Sequence, residues 1–237
     1  MGAIGSSSAT QNTAVTGRVL SDSDVNTLRT QMGQTGYEAG DPNAPTGKQK
    51  LYVKTSKSFN INRYLVTNGA DIHSSNSQWD SLGYNKRMIK NDIARIDSGM
   101  KPLTENVSLI RFIDSGSLNY MTGGIVNPGS GSNFQNFLGR LENDKQFADS
   151  FKGVMKNTDY THPAYTSTTT IQSHPAFDNR DIKLEMVARK GTSVIVTKNI
   201  AEHEILIGRN TKYNFTGDFR VDTLKNGRKQ LVLKVYT

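Results

Sequence analysis

At 237 residues the chain has room for one domain of ordinary size, large enough to bury a core without covalent staples. It contains no cysteine, which excludes disulfides, thiolate zinc sites and cysteine nucleophiles, and no apolar run approaches the ~20 residues that cross a bilayer, so membrane insertion is not expected. The net charge of +8 fits attraction to nucleic acid or to an acidic protein, but the lysines and arginines are scattered, which favours a basic surface that tolerates an anionic ligand.

Residues 1 to about 50 read as a flexible leader or connector: Gly2 to Thr10 is small and polar, and Gly40 to Lys50 is a Gly/Pro/Asn/Lys-rich loop. Between them Ser21 to Met32 predicts one short helix, with Ser21 and Asp24 near its start. The N-terminus lacks the basic-then-apolar order of a secretory signal. The domain proper is expected over 51–237. Ile61, Leu65 and Val66 have helical spacing, as do Leu82, Ile89, Ile93, Ile96 and Met100, a second amphipathic helix that Pro102 stops. Val107 to Ile113 is a short apolar strand. Phe134, Phe137, Leu138 and Leu141 predict a helix, and a further helical stretch runs through Phe147 and Phe151.

The C-terminal third reads as strands. Ile182, Leu184, Met186 and Ala188 alternate with polar neighbours, and Ser193 to Thr197, Glu204 to Ile207, Lys212 to Phe215 and Gln230 to Tyr236 follow as short runs. Asn226-Gly227 suggests a hairpin turn. Helices first and strands later argue for an α+β domain, not a doubly wound sheet.

Several chemistries are absent. There is no Gly-x-Gly-x-x-Gly, no Walker sequence around Gly47-Lys48 and no hydrolase nucleophile elbow. His73, His162, His174 and His203 show no metal-ligand spacing, so no metal is expected; His162 and His174 precede proline and read as loop residues. Three elements remain. Arg111 sits inside the strand Leu109 to Ile113. Tyr165-Thr166-Ser167-Thr168-Thr169 is a hydroxyl-rich run that, alone, reads as an edge strand. Glu202-His203-Glu204 leads into Ile205-Leu206-Ile207; strand residues two apart share a face, so two carboxylates would sit side by side.

In this order the three resemble the arginine–serine–glutamate class of mono-ADP-ribosyltransferases, and in particular the actin-modifying catalytic chains of clostridial binary toxins and related bacterial exotoxins. The resemblance extends to Ile61 through Gly69, to Lys101 through Asn106 leading to Arg111, and to Glu202 through Phe215. It implies N-terminal helices packed on a mixed or antiparallel β-sandwich core, and an enzyme that splits NAD and moves ADP-ribose to a protein side chain, arginine by the acidic residue at 202. By the same resemblance Arg111 binds the NAD phosphates, Ser167 orients Glu204, Glu204 stabilises the reacting ribose, and Glu202 receives the acceptor. Asn62, Phe177 and Arg180 match further NAD contacts, Phe177 near nicotinamide and Arg180 at the phosphates. Thr169, Ala164 and Phe112 depart from the usual residues beside these motifs.

The implied partners are NAD as substrate and a target protein with an accessible arginine, met by a monomer in the cytosol of a host cell after delivery by an unseen partner or machine. NAD glycohydrolysis, a non-catalytic NAD-binding protein of the same fold, and a nucleic-acid acceptor stand as alternatives.

Overall fold

A computed structural model of the chain describes residues 15–34, 55–67, 86–173, 177–197 and 203–237. Among the described residues nine strands join in one order: β1 (Lys101–Pro102), β6 (Ser193–Val196), β7 (Glu204–Ile207), β4 (Thr166–Thr169), β2 (Val107–Ile113), β5 (Ile182–Ala188), β9 (Lys229–Tyr236), β8 (Thr211–Thr223) and β3 (Asp159–His162). Neighbours are antiparallel except β5 and β9. Strand formation follows the apolar pattern: β5 buries Ile182, Leu184, Met186 and Ala188 and turns Lys183 and Glu185 the other way.

Between β2 and β4 the ladder narrows to a single pair, Ile110 with Thr169. The strands therefore work as two halves joined at one point. Val194, Val196, Ile205 and Ile207 from one half share a core with Leu109, Leu184, Met186 and Leu233 from the other. This is the mixed, sandwich-like α+β arrangement the sequence led us to expect. Helices α4 (Ser132–Asn143) and α5 (Lys145–Lys156) cover that core with Phe134, Leu138, Leu141, Phe151 and Met155. On the opposite face of the first half, Tyr165, Ile195 and Leu206 pack under α2 (Thr55–Val66) and α3 (Lys86–Gly99) through Ile61, Ile89, Ile93 and Ile96. With both faces covered, every residue of β7 is buried.

The stretch 15–34, read from sequence as part of a connector, is docked on this body. Its helix α1 (Asp22–Gln31) starts with the expected capping box, the Ser21 hydroxyl accepting from the Asp24 amide at 3.3 Å while the Asp24 carboxylate accepts from the Ser21 amide at 2.9 Å. Leu20, Val25, Leu28 and Met32 enter the main core. Upstream, Arg18 bridges Val107 in parallel, and Gly17 lies so close to β2 that a Cβ there would stand 2.6 Å from the Ser108 amide nitrogen. Four spaced apolar side chains among polar ones are too weak a pattern to announce this docking.

Other differences are local. The hydroxyl-rich strand β4 is not an edge; it pairs with β7 and touches β2. His162 lies on β3, not in a loop, and the run expected over 212–215 is part of the longer β8, which carries an irregularity between Phe215 and Phe219. Asn226-Gly227 belongs to a longer connection closed by the Thr223–Lys229 pair, with Gly227 at φ 79°. Leu82, His73 and His174 lie outside the described residues.

Candidate active site

The site forms where the two halves part. Past the Ile110–Thr169 pair, β2 and β4 diverge, and the Ser167 carbonyl turned toward β2 has no strand amide to meet. The Arg111 guanidinium fills the gap, donating from Nη1 to the Ser167 oxygen at 2.8 Å. Arg111 is half-buried, and among the described residues no carboxylate pairs with it.

On the next strand, Glu204 opens β7 opposite Thr169. Its side chain is 4% exposed, and its Oε1 accepts from the Ser167 hydroxyl at 2.6 Å. Ser167 and Glu204 occupy diagonal positions on one face of the ladder, so a short hydroxyl reaches the longer carboxylate. Arg111, Ser167 and Glu204, far apart in sequence, thus meet through direct hydrogen bonds.

Behind β4 the support is polar and layered. The Asn62 amide clamps the backbone of Tyr165, donating to its carbonyl at 3.3 Å and accepting from its N–H at 3.2 Å. The fully buried Tyr165 donates its hydroxyl to Asp97 at 2.6 Å, and Arg209 pairs with the same carboxylate. Burial and the Asp97 charge push the Tyr165 phenol well above its ordinary range, so it stays a donor. The Asn62 amide is thereby engaged in holding the approach to Ser167.

Two cavities flank Arg111. A crevice of about 180 Å³ is lined by Ile110, Phe112, Ser167, Thr169 and Phe177, which brings Phe177 to the expected neighbourhood. A larger space of about 320 Å³ on the core side is walled by Tyr120, Tyr160, His162, Tyr213 and apolar strand residues. Burial, reinforced by the Arg111 charge, lowers the His162 imidazole to about 4, so it is neutral, with its Nδ1 2.6 Å from the Tyr160 hydroxyl. Tyr120 and Tyr160 were not singled out from sequence, and His162 was read only as a loop residue; β3, which carries Tyr160 and His162, shows no apolar alternation.

Arg180 stands apart from the trio. Its Nη1 meets both carboxylate oxygens of Asp114 at 2.7 Å, at the end of β2. Glu202 lies outside the described residues. Strand β7 begins at Glu204, and His203 just before it has φ 45°.

A family model described as ADP-ribosyltransferase exoenzyme matches residues 22–237. The chain belongs to that family. This ADP-ribosyltransferase exoenzyme is an NAD-dependent mono-ADP-ribosyltransferase of the toxin class. No curated protein matches it by sequence. Its fold is similar to that of the Clostridium limosum C3 exoenzyme, at 18% identity and a TM-score of 0.60 over 94% of this chain and 98% of that one. It is also similar to Plx2a, an ADP-ribosyltransferase toxin from Paenibacillus larvae, at 16% identity and a TM-score of 0.58 over 90% and 92% of the two chains. BECa, the ADP-ribosylating toxin of a Clostridium perfringens binary enterotoxin, solved with NADH, matches at 14% identity and a TM-score of 0.58. There 90% of the exoenzyme aligns with 45% of BECa.

Proposed function

We propose that the enzyme transfers ADP-ribose from NAD to arginine side chains of a target protein, with Arg111, Ser167 and Glu204 as the centre that cleaves NAD. The observation that carries this reading is the buried Glu204 carboxylate held by the Ser167 hydroxyl at 2.6 Å, beside a half-buried Arg111. The cation and the anion are both hydrogen-bonded to Ser167, an arrangement suited to a ligand that brings both a negative and a developing positive charge.

NAD is such a ligand. Its diphosphate suits the forked guanidinium of Arg111. As neutral nicotinamide leaves, positive charge grows on the ribose C1′ and ring oxygen, an oxocarbenium-like state. A carboxylate fixed beside that sugar stabilises the transition state more than bound NAD and so lowers the barrier. Ser167 keeps Glu204 in one rotamer, and Asn62 fixes the backbone from which Ser167 projects. Phe177, on the wall of the smaller crevice, offers a flat face to nicotinamide, and Arg180 joins the phosphates by exchanging Asp114 for them.

Glu202 supplies the arginine preference. A guanidinium is protonated and a poor nucleophile, and a carboxylate near Glu204 pairs with it, orients it and helps remove a proton. The same chemistry with water as acceptor is NAD glycohydrolysis. The target protein lies inside a host cell, and the machine that delivers the enzyme there is separate from residues 51–237.

Adenine-labelled NAD is incubated with agmatine, a free guanidine, and with cell lysates, for wild type, Glu202→Gln and Glu204→Gln. Wild type is expected to label agmatine and protein arginines, located by mass spectrometry. Glu204→Gln should abolish nicotinamide release, and Glu202→Gln should lose transfer while keeping hydrolysis. Equal loss of both activities in Glu202→Gln would remove its separate role.

A further inference from the structure

Strand β9 runs parallel to β5 with Leu231 opposite Ile182, so the foot of β9 lies beside the turn that leads into β5. That turn is Phe177–Arg180, closed by the Arg180 amide on the Phe177 carbonyl at 3.0 Å. Its next three carbonyls all accept from the β9 side. Gln230 Nε2 donates to the Asp178 carbonyl at 3.1 Å and to the Arg180 carbonyl at 2.8 Å. Arg228 Nη1 donates to the Asn179 carbonyl at 3.4 Å, and its Nη2 to Asp181 Oδ1 at 2.9 Å. Asn226 adds a bond from Nδ2 to the Asn179 side-chain oxygen at 3.2 Å.

The clasp is itself held firmly. In the connection from β8 to β9 the Leu224 amide donates to the Arg228 carbonyl at 2.8 Å, and the Gly227 amide to the Leu224 carbonyl at 2.9 Å. The Arg228 amide donates to the Asn226 side chain at 3.0 Å. Gln230 is 4% exposed and is the polar member of the buried run Gln230 to Leu233. A surface turn can give its carbonyls to water. What the clasp adds is a fixed place for the side chains at the two ends of the turn. Phe177 lines the crevice shared with Arg111, Ser167 and Thr169, and Arg180 meets Asp114 at the end of β2.

We propose that Gln230, seconded by Arg228, is a positioning residue for NAD, holding the Phe177–Arg180 turn in its binding arrangement before the dinucleotide arrives. This rests on the reading above, in which Phe177 faces nicotinamide and Arg180 the phosphates. A turn that is already ordered need not be ordered at the expense of binding, so the clasp acts on affinity and is silent once NAD is bound.

The test is steady-state nicotinamide release as a function of NAD concentration. Gln230→Met keeps the volume and cannot donate. KM for NAD is expected to rise about tenfold, in line with two neutral hydrogen bonds lost from the free enzyme, with kcat unchanged. Gln230→Glu, of the same shape but only an acceptor when ionised, should raise KM at least as much. Arg228→Met changes a side chain that is 43% exposed and should raise KM by a smaller factor. Where Gln230→Met folds poorly, Arg228→Met decides. In a Phe177→Ala, Arg180→Met background, Gln230→Met should raise KM no further, because it acts only through those two side chains. An unchanged KM in the folded single variants, a loss of kcat without a change in KM, or a full effect of Gln230→Met in that background would overturn the proposal. The background itself checks the underlying reading: if its KM for NAD matches wild type, the turn does not touch NAD and the clasp falls with it. A raised KM there, beside silent Gln230→Met and Arg228→Met, sinks the clasp alone.

Discussion

The Ser167 hydroxyl and the Glu204 carboxylate meet at 2.6 Å across two adjacent strands, and the same Ser167 offers its carbonyl to Arg111 at 2.8 Å. One residue thus touches both charged groups of the site. Its side chain faces the anion and its backbone carbonyl the cation, so the two charges are held by separate groups of one residue.

That separation makes the charge on Glu204 testable apart from its shape. Glu204→Gln keeps the volume and can still accept from Ser167, so the fold should hold. Nicotinamide release should nonetheless fall on the order of 10²–10³, the usual loss when one preorganised charge is removed from a reacting centre. Ser167→Ala removes only the bond that fixes the carboxylate and should cost about tenfold, in line with a charge-assisted hydrogen bond. Steady-state nicotinamide release reads both; a Ser167→Ala loss as large as that of Glu204→Gln would mean the hydroxyl does more than orient.

Arg111→Lys separates the fork from the charge. Lysine cannot bond a diphosphate with two parallel N–H groups, nor reach the Ser167 carbonyl in the same geometry. KM for NAD should rise by about tenfold or more, with kcat also reduced because β4 loses its brace. Isothermal titration with NAD, and kinetics on the same sample, decide it. Unchanged affinity would mean that Arg111 serves only the sheet.

How much of this was legible in the sequence depends on range. Strands β2, β5 and β7 and the helices over Ile89 to Ile96 and Phe134 to Leu141 were readable because their periodicity is local and strong. Arg111, Ser167 and Glu204 were legible only as an ordered resemblance, since nothing in a seven-residue strand says that its arginine will bridge a split sheet. The clamp of Asn62 on Tyr165 and the pairing of Arg180 with Asp114 are tertiary facts with no sequence period. His203 has φ 45°, so β7 begins only at Glu204, a backbone detail that apolar periodicity does not announce.

The docking of residues 15–34 is a claim about stability. Leu28 is 1% exposed and sits in the main core, so Leu28→Ala should cost about 2–5 kcal/mol. A leader outside the folded body would show no effect. Urea denaturation followed by circular dichroism distinguishes the two, and a change under about 0.5 kcal/mol, the size usual at exposed surface sites, would return this helix to the status of an appendage.

His162 gives the fold a dependence on pH whose sign can be worked out. Its folded value is lowered to about 4 by burial and by Arg111, while an unfolded imidazole titrates near 6.5. Above pH ~6.5 both states are neutral there and the residue is silent. Between about 6.5 and 4 the unfolded chain binds a proton that the folded chain refuses, so stability falls as pH falls, by up to roughly 3 kcal/mol once both values are passed. His162→Gln keeps a polar side chain facing the Tyr160 hydroxyl but cannot titrate. Its stability should therefore decline less steeply than wild type across that window, the two curves converging or crossing as acid is added. Parallel curves in urea melts between pH 7 and 4 would show that His162 takes up its proton without cost in the folded enzyme, and that the wall of the larger cavity is wetter than its packing implies.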